Sequence, residues 1–138
     1  MIYFLFIKHT KMETKHRILV IGDGGVGKTA YIRKQMGKPF IKKYYETKCI
    51  NIYEDDDCIW YDFPGQEKYG LHTIHLPIDS VIYMYDVTNK LSFDNISFWK
   101  KYVKEHFGII PSSITIGNKI DLHKYIKVKN YDVKNSNI

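Results

Sequence analysis

The sequence predicts an α/β fold with a doubly wound, mostly parallel sheet. Three observations favour it: short apolar runs end at glycine or polar residues, helical segments alternate with them, and a glycine-rich loop joins the first run to the first helical segment. The 138 residues, 44% of them hydrophobic, fit one compact domain and exclude a disordered or collagenous chain. Two cysteines without a CxxC pair argue against a disulfide scaffold or a zinc module.

The first half of the chain is predicted to form a strand, a helix and a hairpin. Arg17–Ile21 is an apolar strand that stops at glycine, and Lys28–Met36 is a helix. Lys48–Tyr53 and Cys58–Asp62 are β-rich and form an antiparallel hairpin. We interpret the acids at 54–57 as its solvated turn rather than a metal site, because alternate side chains of such a run point apart.

The second half continues the alternation. Ser80–Tyr85 and Ser113–Gly117 are predicted buried strands, and Ser92–His106 is a predicted helix. We expect the apolar residues at helical spacing to belong to the core: Phe93, Ile96, Trp99, Val103 and Phe107.

The ends of the chain carry little periodicity. Residues 1–7 are apolar but too short to cross a bilayer, and no secretory cleavage signal follows them. Translation from Met12 is favoured over Met1, because the polar start at Met12 suits a following buried strand. We therefore divide the chain into an N-terminal extension (1–16), one domain (17–129) and an irregular tail (130–138).

The charge of +6 does not by itself indicate a nucleic-acid partner. Of 21 basic residues only Arg17 and Arg33 are arginine, the residue that forks onto phosphates and reads bases. We expect a solvated basic surface and no direct nucleic-acid binding. The sequence does not end in a prenylation motif, so no lipid anchor is expected.

The stretch from Gly22 to Thr29 matches the phosphate-binding pattern GxxxxGK[ST] and lies between the predicted strand and helix that this pattern requires. Its glycines allow backbone N–H groups to surround phosphate oxygens at a helix N-terminus. Lys28 can reach the β- and γ-phosphates, and the Thr29 hydroxyl can ligate Mg²⁺. The predicted nucleotide-binding residues of this segment are Asp23, Gly24, Gly25, Val26, Gly27, Lys28, Thr29 and Ala30.

Two later segments specify the nucleotide further. Asp62, at the end of a predicted strand, can hold Mg²⁺ through water, and Gly65 can offer its N–H to a γ-phosphate. A carboxylate at Asp121 can accept hydrogen bonds from N1 and N2 of guanine, a donor pair that adenine lacks.

Three motifs in this order, GDGGVGKT, DFPGQEK and NKID, resemble those of the small GTPases of the Ras superfamily. Softer stretches, among them FIKKYYET, GQEKYG and YMYDVT, are similar to those of the Ran family of nuclear-transport GTPases. The resemblance runs from about Arg17 to Lys129. It implies a P-loop GTPase fold, the G domain.

The resemblance also implies roles for single residues. Thr47 would ligate Mg²⁺ in the triphosphate state, and Phe40 would pack beside the guanine. Tyr44 would cover the phosphates. Gln66 would orient the attacking water, with Lys28 as the second catalytic residue. Asn118 and Lys119 would hold the base together with the aspartate that ends NKID.

Beyond the site, the resemblance implies a monomeric molecular switch that binds GTP or GDP with Mg²⁺ and hydrolyses GTP slowly. Its expected partners are an exchange factor, a GTPase-activating protein and importin-like transport receptors. The expected location is the nucleus and the cytoplasm.

The chain departs from the family pattern in three places. Phe63-Pro64 replaces the usual Thr-Ala, which removes a backbone N–H, and Lys48-Cys49 replaces a Leu-Gly pair. After NKID only residues 122–138 remain, so we expect the last strand and helix of the G domain to be missing and Ile114 and Ile116 to lose neighbours. A pseudo-GTPase that binds partners without efficient hydrolysis therefore remains an alternative. An ATPase or small-molecule kinase is disfavoured by NKID.

Overall fold

A mixed β-sheet forms the centre of the fold. The computed structural model describes residues 15–37, 41–44, 50–63, 76–119, 126–129 and 132–133, the segment 41–44 by its backbone. Within these ranges the strands are β1 (His16–Ile21), β2 (Ile41–Tyr44), β3 (Asn51–Glu54), β4 (Cys58–Asp62), β5 (Ser80–Asp86) and β6 (Ser112–Asn118). They form one sheet in the order β2-β3-β4-β1-β5-β6.

Strand directions confirm the mostly parallel sheet. β1 is parallel to β4 and β5, and β5 is parallel to β6, whereas β2, β3 and β4 form antiparallel pairs. The predicted hairpin is present between β3 and β4, but its first strand extends to Glu54, and Ile50 lies outside it. The sequence does not predict β2, because two adjacent lysines interrupt its apolar pattern. Such charges are tolerated where a strand lies at the edge of a sheet.

Helix α1 (Lys28–Met36) has the predicted bounds, but the second predicted helix is divided. It forms α2 (Lys90–Asp94) and α3 (Ile96–His106), with Asn95 between them. The division escapes a periodicity argument because Asn95 keeps helical backbone angles (φ −76°, ψ −5°), so buried residues before and after it stay in phase. The start moves two residues earlier because Asn89 caps α2, its side chain accepting the N–H of Ser92 at 3.4 Å.

Helices cover both faces of the sheet, as a doubly wound fold requires. On one face α1 places Ile32 and Met36 against Val20, Trp60 and Met84. On the other, α2 and α3 cover the alternate residues of the same strands, and the apolar stripe predicted to be core is buried there, with Phe107 half-buried at its end. The central strands are buried on both sides because helices cover each face of the sheet.

The sequence expectations about solvent exposure concern the hairpin turn between β3 and β4 and two isoleucines of β6. Asp55 closes the hairpin turn, its side-chain Oδ1 accepting the N–H groups of Asp57 at 2.9 Å and Cys58 at 2.6 Å. Ile114 is 54% exposed, whereas Ile116 is half-buried beside the α1 core. In the portions of the chain that the structure describes, no helix has the length and apolar character that crossing a membrane requires.

Candidate functional site

The glycine-rich loop connects β1 to α1 and approaches β5 closely. A Cβ on Gly22 would lie 2.1 Å from the carbonyl oxygen of Met84, so a larger residue does not fit there. Gly27 precedes α1 with a left-handed backbone (φ 96°), and no side chain caps the helix at this residue. The first N–H groups of α1 therefore receive no hydrogen bond from a side chain at the N-cap position. This arrangement suits an anion.

The side chain of Lys28 is held inside this loop. Its ammonium donates to the carbonyl oxygens of Gly22 at 3.0 Å and Asp23 at 2.8 Å, and the residue is only 5% exposed. Burial lowers the pKa of Lys28 to about 8, against the opposing attraction of the carboxylates of Asp62 and Asp23. A buried ammonium that is bonded mainly to neutral carbonyls would be stabilised by the charge of an anionic phosphate.

Two oxygen-bearing side chains meet beside the loop. The hydroxyl of Thr29, in the first turn of α1, donates to Oδ2 of Asp62 at the end of β4 across 2.5 Å. The side-chain oxygen of Asn51, the residue paired with Asp62 between β3 and β4, is buried and accepts no hydrogen bond from the described residues. Hard oxygen donors of this kind are the ligands that Mg²⁺ prefers, so the residues present fit that ion.

The start of NKID reaches the same loop. The amide of Asn118 donates to the carbonyl oxygen of Val26 at 2.9 Å, and the ammonium of Lys119 donates to that of Gly25 at 2.8 Å. Lys119 adopts a left-handed backbone (φ 66°), unusual for a residue with a Cβ. The predicted phosphate-binding and base-binding segments therefore lie together at the carboxyl end of the parallel strands.

Asp86, at the end of β5, completes this arrangement and was not singled out by the sequence. Its carboxylate lies 2.9 Å from the ammonium of Lys119 and accepts the N–H and hydroxyl of Thr88 at 2.8 and 2.6 Å. Burial opposes its ionisation, but the hydrogen bonds from Thr88 and Lys119 outweigh burial and lower the pKa of Asp86. The stretch YMYDVT was the available signal, since it places an acid at a strand end.

Two residues of the second helical segment also reach the loop. The indole N–H of Trp99 and the side-chain amide of Asn95 both donate to the carboxylate of Asp23. The sequence identified Trp99 only as a core residue. Contacts between residues more than seventy positions apart leave no trace in local spacing.

The structure brings the predicted site together as far as it describes it. The residues that meet around the loop are Asp23, Gly25, Val26, Gly27, Lys28, Thr29, Asp62, Asn118 and Lys119, while Gly24 and Ala30 lie exposed on the same segment. Tyr44 ends β2, and its side chain is outside the described set. Predictions on the remaining positions fall outside the described residues: Phe40, Thr47, Gly65, Gln66 and Asp121.

Comparison with protein-family models adds an independent observation. A model described as "Ras family" matches residues 17–137. The match begins within β1 and includes the glycine-rich loop, Asp62 and the NKID segment. It thus covers every side chain that the structure places around Lys28.

Proposed function

The chain belongs to the Ras family of small GTPases, and on this premise we propose that it binds GTP and GDP with Mg²⁺ and hydrolyses GTP slowly as a molecular switch. The observation that carries the proposal is the contact of NKID with the glycine-rich loop, residues 22–27, called the phosphate loop from here on. Asn118 and Lys119 donate to the carbonyl oxygens of Val26 and Gly25. A phosphate-binding loop alone leaves the base open, whereas its union with NKID favours guanine.

The chain's own residues would divide the work of binding. The loop N–H groups and the buried ammonium of Lys28 would receive the phosphates, and Asn118 with Asp121 would fix the guanine. Thr29, Thr47 and Asp62 would hold the metal. When bound, Mg²⁺ supplies neutralisation of charge on the phosphoryl oxygens.

Hydrolysis would depend on positioning and electrostatics rather than covalent chemistry. Gln66 would orient the attacking water, and the ammonium of Lys28 would stabilise charge that develops on the phosphoryl oxygens. Arg17 lies in β1 and Arg33 in α1, so neither belongs to the segments that carry Thr47 and Gln66. A partner would therefore supply any arginine finger, worth roughly 10³–10⁵ in rate.

The finer proposal is a role like that of Ran, in transport between the nucleus and the cytoplasm. It rests on the stretches FIKKYYET, GQEKYG and YMYDVT. The corresponding partners are an exchange factor, a GTPase-activating protein and importin-like receptors that bind the triphosphate form of a monomer. Retention of such a receptor by the GTP-loaded chain but not by the GDP-loaded chain would support this role, and equal retention would contradict it.

Phe63-Pro64 favours a second candidate, a pseudo-GTPase that binds nucleotide and partners without efficient hydrolysis. Phe63 is buried, with its ring in edge-to-face contact with Trp99, Tyr102 and Phe107. Pro64 follows it and has no backbone N–H to offer a phosphate. An anchored segment of this kind has less freedom to rearrange around a γ-phosphate.

The test begins with nucleotide identity. The chain is purified natively and denatured, and the released nucleotide is identified by mass spectrometry, followed by titration with GTP and ATP. We expect guanine nucleotide and a clear preference for GTP; equal affinity for ATP would contradict the assignment.

Single-turnover GTP cleavage then separates the GTPase from the pseudo-GTPase. Gln66→Leu should lower the rate, whereas Gln35→Leu, which changes an exposed glutamine on α1, should not. An unmeasurable rate in the unsubstituted chain with intact GTP binding would favour the pseudo-GTPase.

A further inference from the structure

The carboxylate of Asp23 is held by two side chains at the N-terminal end of α3. Its Oδ1 accepts the indole N–H of Trp99 at 2.7 Å, and its Oδ2 accepts the side-chain amide of Asn95 at 2.8 Å. Asn95 directly precedes the first residue of α3, and Trp99 follows it four positions later in the first turn, so the two side chains lie on the same side of the helix. Both oxygens of a carboxylate in the phosphate loop are thus occupied by residues from a different part of the chain.

The donors are themselves fixed. Trp99 is 2% exposed, and its ring contacts those of Phe63 at 5.7 Å and Tyr102 at 5.6 Å between centroids, both edge-to-face. A ring enclosed in this way has few alternative rotamers, so its N–H stays directed at Asp23 and the side chain loses little conformational entropy in making the hydrogen bond. Phe63 directly follows Asp62, so the same indole contacts both the phosphate loop and the segment that carries a proposed metal ligand.

The contact bears on nucleotide binding through the main chain and through charge. The carbonyl oxygen of Asp23 accepts the ammonium of Lys28 at 2.8 Å, so fixing this residue also fixes one partner of the phosphate-binding lysine. A carboxylate in a phosphate-binding loop repels the ligand. Two donors on its oxygens hold it in place and reduce that repulsion.

We propose that Trp99 and Asn95 are positioning residues for the nucleotide, which retain the phosphate loop in its binding geometry through the carboxylate of Asp23. The proposal rests on the proposed function for its ligand. It assigns to α3 a direct effect on the rate at which nucleotide is released.

The chain offers a matched pair of variants, because it contains only two tryptophans. Trp99→Phe keeps an aromatic ring against Phe63 and removes the donor to Asp23. Trp60→Phe makes the same change at a buried indole whose N–H has no partner among the described residues. Release of a fluorescent GDP analogue and the melting temperature are measured for both. We expect release about ten-fold faster in Trp99→Phe, the effect of one lost hydrogen bond to a charged group, and within about two-fold of the original in Trp60→Phe.

A charge-swapped pair tests the contact with Asn95. Asn95→Asp places a second carboxylate against Asp23 and should accelerate release more than Asn95→Ala does. Adding Asp23→Asn restores a donor and an acceptor between the two positions and still accepts the indole N–H of Trp99. The double variant should therefore recover a large part of the slow release.

Two results would overturn the proposal. One is a lowered melting temperature in Trp99→Phe with unchanged release, since the contact would then only stabilise the fold. The other is an Asn95→Asp effect that Asp23→Asn does not relieve. If the unsubstituted chain binds no guanine nucleotide, the proposed function fails separately. Amide hydrogen exchange of residues 23–27 then decides: faster exchange in Trp99→Phe than in Trp60→Phe supports retention of the loop by α3, and equal exchange refutes it.

Discussion

The ammonium of Lys119 lies 2.9 Å from the carboxylate of Asp86 and joins the carboxyl ends of two neighbouring parallel strands. The same ammonium donates to the carbonyl oxygen of Gly25 in the phosphate loop. One side chain therefore bridges β5, β6 and the loop. This bridge holds the start of NKID in place beside the phosphate loop.

Lys119→Met should weaken GDP binding by about ten-fold, because it removes two hydrogen bonds of a charged group at the site. It should also raise the pKa of Asp86, which is lowered in the folded chain in part by Lys119. A lowered carboxyl pKa contributes stability that is present above its ordinary value of 3.8 and is lost as pH falls through the folded value. Acid unfolding should therefore begin at higher pH in Lys119→Met than in Lys34→Met, which changes an exposed lysine on α1. Identical acid midpoints would contradict this account.

Thr29→Asn should weaken GTP binding in the presence of Mg²⁺ and weaken GDP binding less. The hydroxyl of Thr29, which donates to Asp62 in the structure, is replaced by a longer amide that is a poorer ligand for the ion. We expect at least the roughly ten-fold loss that follows removal of an outer partner of a metal ligand. Titrations with Mg²⁺ and with excess EDTA provide the measurement. Equal losses under both conditions would show that Thr29 acts on the fold and not on the metal.

Lys28→Met should stabilise the nucleotide-free chain below pH 8 and weaken nucleotide binding. In the folded chain burial lowers the pKa of Lys28 to about 8, from 10.5. Between these values the unfolded chain binds a proton that the folded chain does not, so the unfolding free energy contributed by Lys28 rises with pH. The melting temperature of Lys28→Met should exceed that of the original by about 5 °C at pH 7. That difference should shrink towards pH 10.5; a constant difference would contradict the buried charge as its cause.

Gly27→Ala should abolish or greatly weaken nucleotide binding, whereas Gly37→Ala should only lower stability. Both glycines have a left-handed backbone, φ 96° and 64°, which costs a residue with a Cβ about 1–2 kcal/mol. A Cβ at Gly27 would lie 2.4 Å from the amide nitrogen of Asn118, but one at Gly37 would meet nothing within 4 Å. Thermal melting and GDP titration of both variants separate strain from displacement of Asn118. Equal GDP affinity in the two variants would contradict the role of that contact.

Local patterns predicted the elements whose boundaries are marked by residues next to them in the sequence. The bounds of α1 follow from Gly27 and Gly37 on either side of it, and those of β4 follow from a β-rich run that begins after the acids at 54–57; the structure confirms both. β2 escaped prediction because an edge strand takes part of its stability from backbone pairing with β3, which a side-chain pattern does not record. The helix break at Asn95 escaped because the apolar phase continues through it.

The sequence by itself identified the glycine-rich loop and predicted its chemistry, because the predicted binding residues from Asp23 to Thr29 are consecutive and their spacing is itself the signal. Only the tertiary structure decided what holds that loop: Lys119 with Asp86 on one side, and Trp99 with Asn95 on the other. These contacts join residues that a parallel sheet brings to one edge after long crossovers. Their partners are set by strand order and helix packing, which no window of sequence contains.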